Sequence, residues 1–243
     1  MKIIIRNLIF LINNLFLITS SLKKCNFSKK RLFKFISWHH GYCYFTGFIG
    51  ENKVFIKIDT KFLLLKNEYI SYKYLKNTEL NLVKVYEFFD FGDIQIIAFD
   101  FFEAKNLSEG DIVKKPKQII SEIKKSIDVL IQNNICHRDI KLDNFLFKND
   151  KVFMIDFSFA INIKQGKENV LKELSPTHEN VLVLKYLGIN IKNENFIIWN
   201  DYYSVQQILV KLNEVYALDN PIINKYIDQF DALSLNNNYS YRL

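Results

Sequence analysis

Between Asn134 and Ser158 the chain carries polar residues at fixed spacing inside an otherwise apolar stretch. His137-Arg138-Asp139-Ile140-Lys141-Leu142-Asp143-Asn144 leads into the apolar Phe145-Leu146-Phe147. The polar Lys148-Asn149-Asp150-Lys151 follows, then Val152 to Ile155, then Asp156-Phe157. Two short apolar runs around a polar tetrad spell a β-hairpin. A hairpin over Phe145 to Ile155 returns Asp156 to the neighbourhood of Asn144. Any fold this chain adopts must therefore gather an amide, carboxylates and a lysine at the open end of one hairpin.

The rest of the sequence supplies a frame for it. Arg31 to Ile36, Tyr42 to Phe48 and Val54 to Ile58 read as strands, broken by Gly41, Gly47, Gly50 and the Glu51-Asn52-Lys53 turn. Lys61 to Leu75 reads as a helix. Val83 to Phe89 and Ile94 to Phe102 read as two strands hinged at Phe91-Gly92-Asp93. Pro116 opens the clearest helix, with Ile119, Ile120, Ile123, Ile127, Leu130 and Ile131 on one face and Asn133-Asn134 at its end. Val181 to Leu187 and Tyr202 to Val215 also read as helical. The expected class is α+β in two lobes, an antiparallel sheet plus helix over about 29–103 and a mostly helical half over about 104–243. Residues 1–28 are expected as a basic, apolar N-terminal arm or amphipathic helix.

His137-Arg138-Asp139, Lys141 and Asn144 match the loop H-R-D-x-K-x-x-N, a coincidence expected on the order of once in millions of starting points. The chain thereby resembles the protein-kinase superfamily from about residue 31 onward. The resemblance implies that Asp139 accepts the proton of an acceptor hydroxyl and that Lys141 faces the transferred phosphoryl group. It also implies that Asn144 and Asp156 hold Mg²⁺. Val54-Phe55-Ile56-Lys57 is similar to the V-A-I-K strand, so Lys57 is expected at the ATP phosphates with Glu68 as its ion-pair partner. Ala98 to Glu103 resembles the linker whose backbone, near Asp100 to Phe102, holds adenine. Asp201-Tyr202-Tyr203-Ser204 looks like the start of the helix that anchors the catalytic loop, although Asp201 also suits a helix N-cap.

The chain departs from the family at several points. Ser37-Trp38-His39-His40-Gly41 replaces the glycine-rich phosphate loop and leaves Gly41 as its one glycine, a possible phosphate contact. Ser158 stands where D-F-G has glycine. No A-P-E is found, and Ser175-Pro176-Thr177 aligns poorly with it. The short stretch after Asp201 resembles small bacterial kinases of lipopolysaccharide core sugars, as do Lys185 to Ile189 and Tyr202 to Val205.

Charge is concentrated at one end. The net charge is +7, yet Lys2, Arg6, Lys23, Lys24, Lys29, Lys30, Arg31 and Lys34 lie within residues 1–37, which hold no acidic residue. Arg6-Asn7, Asn13-Asn14 and Ser20-Ser21 recur every seven residues, a narrow polar stripe on an otherwise apolar helix. Such a helix suits a membrane interface or a protein groove, with the basic cluster up to Lys34 drawn to anionic lipid. Three cysteines without C-x-x-C spacing fit a reducing compartment. The expected place is the cytoplasm, peripheral on the inner face of the membrane.

The sequence thus points to a kinase moving the γ-phosphate of Mg²⁺-ATP to a hydroxyl. A cell-surface glycan is slightly favoured as acceptor over a protein serine or threonine. The alternative from another class is an ATP-binding pseudokinase or scaffold. Nucleic-acid binding through residues 23–34 ranks last.

Overall fold

The computed structural model describes residues 2–38, 41–162, 189–193, 196–216, 220–236 and 239–242. Its chain forms two compact units, Met1–Tyr74 with Val83–Glu103, and Leu75–Leu82 with Ala104–Leu243. The expected helix at Val181 to Leu187 and the Ser175-Pro176-Thr177 segment lie outside the described residues.

The first unit is built on a five-stranded antiparallel sheet. Helix α1 (Lys2–Lys24) precedes β1 (Ser28–Phe33), β2 (Tyr42–Ile49), β3 (Asn52–Asp59), helix α2 (Leu65–Leu75), β4 (Val85–Asp90) and β5 (Gln95–Asp100). The sheet order is β1-β2-β3-β5-β4. Val54, Ile56 and Ile58 alternate inward along β3 and meet Ile94, Ile96 and Ala98 in one core. Each fully buried isoleucine is worth roughly 1.5–3 kcal/mol.

Three boundaries differ from the sequence reading by more than two residues. Strand β1 begins at Ser28 and stops at Phe33, because Lys34 adopts the left-handed region and Phe35–Ser37 forms a 3₁₀ turn. Helix α2 begins at Leu65 rather than near Lys61. The buried carboxylate of Asp59 accepts the N–H groups of Lys61, Phe62 and Leu64, and Leu63 has φ +55°, so this stretch is a capped loop. Leu75–Leu82, which the sequence places with the first lobe, groups with the second unit. There the Asn81 amide donates to Val152 O, and the Asn81 carbonyl accepts Met154 N–H.

Of the two readings of residues 1–28, arm or helix, the structure has helix α1, packed on the first unit. Ile18, Leu22, Cys25 and Phe27 are buried in the same core as β3 and β5. Along α1 the inward seam is Asn7, Leu11, Asn14, Ile18 and Ser21, continued past its end by Cys25. One residue of each polar pair, Asn7, Asn14 and Ser21, therefore lies on the side that faces the protein.

In the second unit β6 (Lys105–Asn106) is followed by α3 (Glu109–Lys114) and α4 (Pro116–Gln132). Proline opens α4 at its first turn, where no N–H is required, and Asn134 at φ +58° closes it. The buried face of α4 packs against β7 (Ile135–Cys136) and β9 (Lys151–Met154), the latter paired with β8 (Phe145–Lys148). Strand β10 (Ile161–Asn162) pairs with β7. Strands β11 (Ile189–Asn193), β12 (Phe196–Trp199) and β13 (Tyr239–Arg242) form a separate antiparallel sheet. Helices α5 (Asp201–Tyr216) and α6 (Pro221–Asn236) pack on each other and on α4.

Cys25, Cys43 and Cys136 are buried free thiols. Burial, with Glu87 adding to it, pushes Cys25 up to about 11, and burial likewise drives Cys43 and Cys136 well above the ordinary thiol range. The thiolate is the reactive form. The native chain should react with a disulfide reagent at pH 8 about a hundredfold slower than the urea-unfolded chain, as followed by thiol absorbance.

Candidate active site

The loop from His137 to Asn144 joins β7 to β8, and its shape is fixed from beneath. Asp201, the first residue of α5, accepts the His137 N–H at 2.7 Å and the Arg138 N–H at 3.0 Å. These bonds hold Arg138 at φ +67°, a conformation a side chain disfavours. Burial keeps the Asp201 carboxyl above the ordinary carboxylate range, against the pull of His137 and of these donors. The fully buried His137 ring donates through Nε2 to Ile155 O at 3.0 Å and accepts the Asp139 N–H through Nδ1 at 3.3 Å. Its ring lies 4.8 Å from that of Phe157. His137 is scaffold, linking the loop to the far strand of the hairpin.

Asp139 is 3% exposed, yet the charged groups around it are arranged in order. Its Oδ2 accepts Lys141 Nζ at 2.7 Å and Asn144 Nδ2 at 2.9 Å. Both bonds fall on one oxygen, which leaves Oδ1 for another donor. The Asn144 amide also donates to Asp139 O at 2.8 Å, so its nitrogen faces Asp139 and its carbonyl oxygen turns away. Ile155 N–H donates to Asn144 O at 3.0 Å, which seats Asp156 beside Asn144 in chain terms. Asp156 takes φ +64°, while Phe157–Phe159 forms a 3₁₀ turn. The left-handed residue here is Asp156, so the side chain of Ser158 imposes no backbone strain at its own position.

In the first unit Lys57 on β3 and Glu68 in the first turn of α2 form an ion pair at 2.8 Å, with side chains 7% and 2% exposed. The Lys57 ammonium also lies 5.0 Å from the centre of the Tyr42 ring. At the end of β5, Asp100 N–H donates to Lys84 O and Phe101 N–H to Lys53 O. Neither of these two N–H groups is open to a base, so an adenine contact from Asp100 to Phe102 must use other groups of that segment.

Gly41 has φ +89°, and a Cβ there would lie 2.5 Å from the Lys61 Cβ. Local packing alone thus requires glycine. The turn before it is anchored by side chains that the sequence reading did not assign to any site. Asn7 Nδ2 donates to Phe35 O at 2.7 Å, and Arg6 Nη2 donates to Trp38 O at 2.9 Å. Arg6 Nε donates to Asn7 Oδ1, which locks the two side chains together. Trp38 is 1% exposed, and its indole N–H donates to Phe33 O at 2.9 Å. The seven-residue recurrence of polar pairs was the available signal for Arg6 and Asn7. His39 and His40 lie outside the described residues.

A family model described as the protein kinase domain matches residues 60–214. The chain belongs to the protein kinase domain family. Calcium-dependent protein kinase 4 of Plasmodium berghei (strain Anka) and its namesake of Plasmodium falciparum (isolate 3D7) are each 28% identical to it over 141 residues. Each match covers 54% of this chain and only 26% of the relative's length. Among solved structures, the Cydia pomonella Granulovirus kinase PK-1 is similar, with a TM-score of 0.44 and 17% identity over 62% of this chain and 59% of that one.

Proposed function

We propose that the chain is an ATP-dependent kinase that phosphorylates serine or threonine hydroxyls of a protein. The observation that carries this reading is the buried Asp139 carboxylate, with Oδ2 bound by Lys141 and Asn144. In this reading Oδ1 accepts the proton as the acceptor oxygen attacks the γ-phosphorus and the bond to the ADP oxygen breaks. Lys141, 48% exposed, neutralises charge at the transferred group. Lys57, held by Glu68, contacts phosphate oxygens.

The donors present fit Mg²⁺. Asn144 and Asp156 offer hard oxygens, and the described residues contain no group of three or more His, Cys, Asp or Glu able to hold an ion. A pair of protein oxygens completed by substrate phosphates suits Mg²⁺ better than a resident all-protein cage. When bound, Mg²⁺-ATP supplies the phosphoryl group and the charge neutralisation for its transfer.

The protein acceptor is preferred because Lys141 lies two residues after Asp139 and is bonded to it, and because the curated relatives carry protein-kinase names. The sugar acceptor considered from sequence has no support from those relatives.

Radiolabelled ATP offered with a serine-rich protein, and separately with lipopolysaccharide core, tests both acceptors, with Asp139→Asn as control. Label in the protein that requires Asp139 is the expected result. Label in the core alone would overturn the protein acceptor. Asp139-dependent label in neither, with Mg²⁺-ATP still raising the melting temperature of wild type but not of Asp156→Ala, would favour the pseudokinase.

The side chains that anchor the β1–β2 turn give a further expectation. Asn7→Ala deletes the donor to Phe35 O, a bond worth about 1 kcal/mol. The KM for ATP should rise roughly fivefold at nearly unchanged kcat. Unchanged KM would count against a role for Phe35 to Trp38 in nucleotide binding.

A further inference from the structure

Helix α1 carries an apolar stripe on its solvent side as well as apolar residues on its core side. Its inward seam alternates the polar Asn7, Asn14 and Ser21 with Leu11 and Ile18, whereas its outward seam is wholly apolar, Ile5, Ile9, Ile12 and Phe16, spaced by four and three residues. These outward side chains are exposed, Ile12 by 62% and Phe16 by 86%. A soluble helix normally turns such a stripe into the core. Here the core side is already filled, and the polar stripe is occupied by its own partners, since Asn7 and Arg6 donate to Phe35 O and Trp38 O. The apolar face therefore has nothing within the first unit to cover it.

The charges around that face indicate its partner. Lys2 lies at one end of the helix and Lys23 and Lys24 at the other, all exposed. Lys23 continues the outward seam, seven residues beyond Phe16. The exposed Lys29, Lys30, Arg31 and Lys34 follow, and residues 1–37 contain no acid. An apolar stripe bounded by lysines complements a bilayer with anionic headgroups, where the stripe enters the acyl boundary and the lysines meet phosphate. A second protein surface would have to match the stripe and a uniformly basic border at once.

We infer that α1 docks the protein on an anionic membrane surface, lying in the interface along its Ile5–Phe16 face rather than crossing the bilayer. The helix is long and apolar enough to span. Spanning would, however, strip Arg6 and Asn7 from their carbonyl partners and pull Ile18 and Leu22 out of the core. A helix fixed along one side can offer only its other side, which is the monotopic arrangement.

Co-sedimentation of the full chain with phosphatidylcholine vesicles carrying about 30% phosphatidylserine, against pure phosphatidylcholine, tests this. Ile9→Gln with Ile12→Gln and Phe16→Gln removes the stripe at exposed positions, and Lys2→Gln with Lys23→Gln and Lys24→Gln removes the charge. Wild type should partition to the anionic vesicles, and each triple variant should lose about tenfold or more. Circular dichroism and melting should match wild type, and alkaline carbonate should release the bound protein. Absence of partition, equal partition by the stripe variant, or resistance to carbonate would overturn the inference. So would a wild-type dimer in sedimentation velocity that the stripe variant dissociates without any vesicle binding. Partition needs neither nucleotide nor acceptor, so its failure leaves the phosphotransfer reading intact.

Discussion

Asp139→Asn should lower kcat by roughly 10²- to 10⁴-fold while the KM for ATP and the fold stay nearly as they are. The substitution keeps the shape of the side chain and removes its ability to take up a proton. The bonds that shape the loop are elsewhere. His137 and Arg138 N–H groups still reach Asp201, and the His137 ring still reaches Ile155 O. What is lost is the charge opposite Lys141, whose side chain is about half exposed, so the stability cost should be about 1 kcal/mol or less. Steady-state transfer of label, with urea unfolding alongside, measures both. Activity within threefold of wild type would show that Asp139 is not the proton acceptor.

The expected effect is local because the loop is held by elements distant in sequence. Its residues were readable through the fixed H-R-D-x-K-x-x-N spacing, which is similar to the family's loop. The hairpin was equally readable, since Phe145 to Ile155 is two apolar runs around a polar tetrad and folds as β8 and β9. Asp201 was less legible. The sequence offered both a loop anchor and a helix N-cap for it, and the His137 and Arg138 N–H groups that it accepts decide for the anchor.

Helix α1 is legible in the sequence as an amphipathic helix, but the side on which it packs is not. Hydropathy places apolar residues inward, as Ile18 and Leu22 are, yet near the start of the helix the partners are the carbonyls of Phe35 and Trp38, and bonding to them suits an amide and a guanidinium. The sequence displayed the stripe but not the direction it faces. Strand β1 was shifted for a related reason. Ser-Lys-Lys-Arg-Leu-Phe, exposed along nearly all its length, lacks the alternation by which strands are recognised. A lysine-rich edge strand blunts pairing with other chains at the expense of that signal. The start of α2 was misplaced because three N–H groups are captured by Asp59, a long-range consequence of where β3 ends.

The Lys57–Glu68 pair should show the largest effect on stability. Each partner is buried, and removing one takes away the other's counter-charge at 2.8 Å in the core of the first unit. Lys57→Met and Glu68→Met should therefore each cost roughly 3–5 kcal/mol in urea unfolding. The double variant places two methionines of similar volume against each other and removes both charges of the pair. It should recover most of that loss, giving a coupling energy of about 2 kcal/mol or more in a double-mutant cycle. Activity should follow the opposite course. Lys57→Met removes the expected phosphate contact, and Glu68→Met leaves the ammonium without the carboxylate that aims it, so both should lose most of kcat/KM for ATP. The double variant, although stable, should be as inactive as Lys57→Met. Recovered stability without recovered activity separates the two roles of the pair, tying α2 to the sheet and holding Lys57 in position. Single variants within 1 kcal/mol of wild type would mean that the pair does not anchor the helix. A double variant that regains phosphotransfer would mean that Lys57 is not a nucleotide contact.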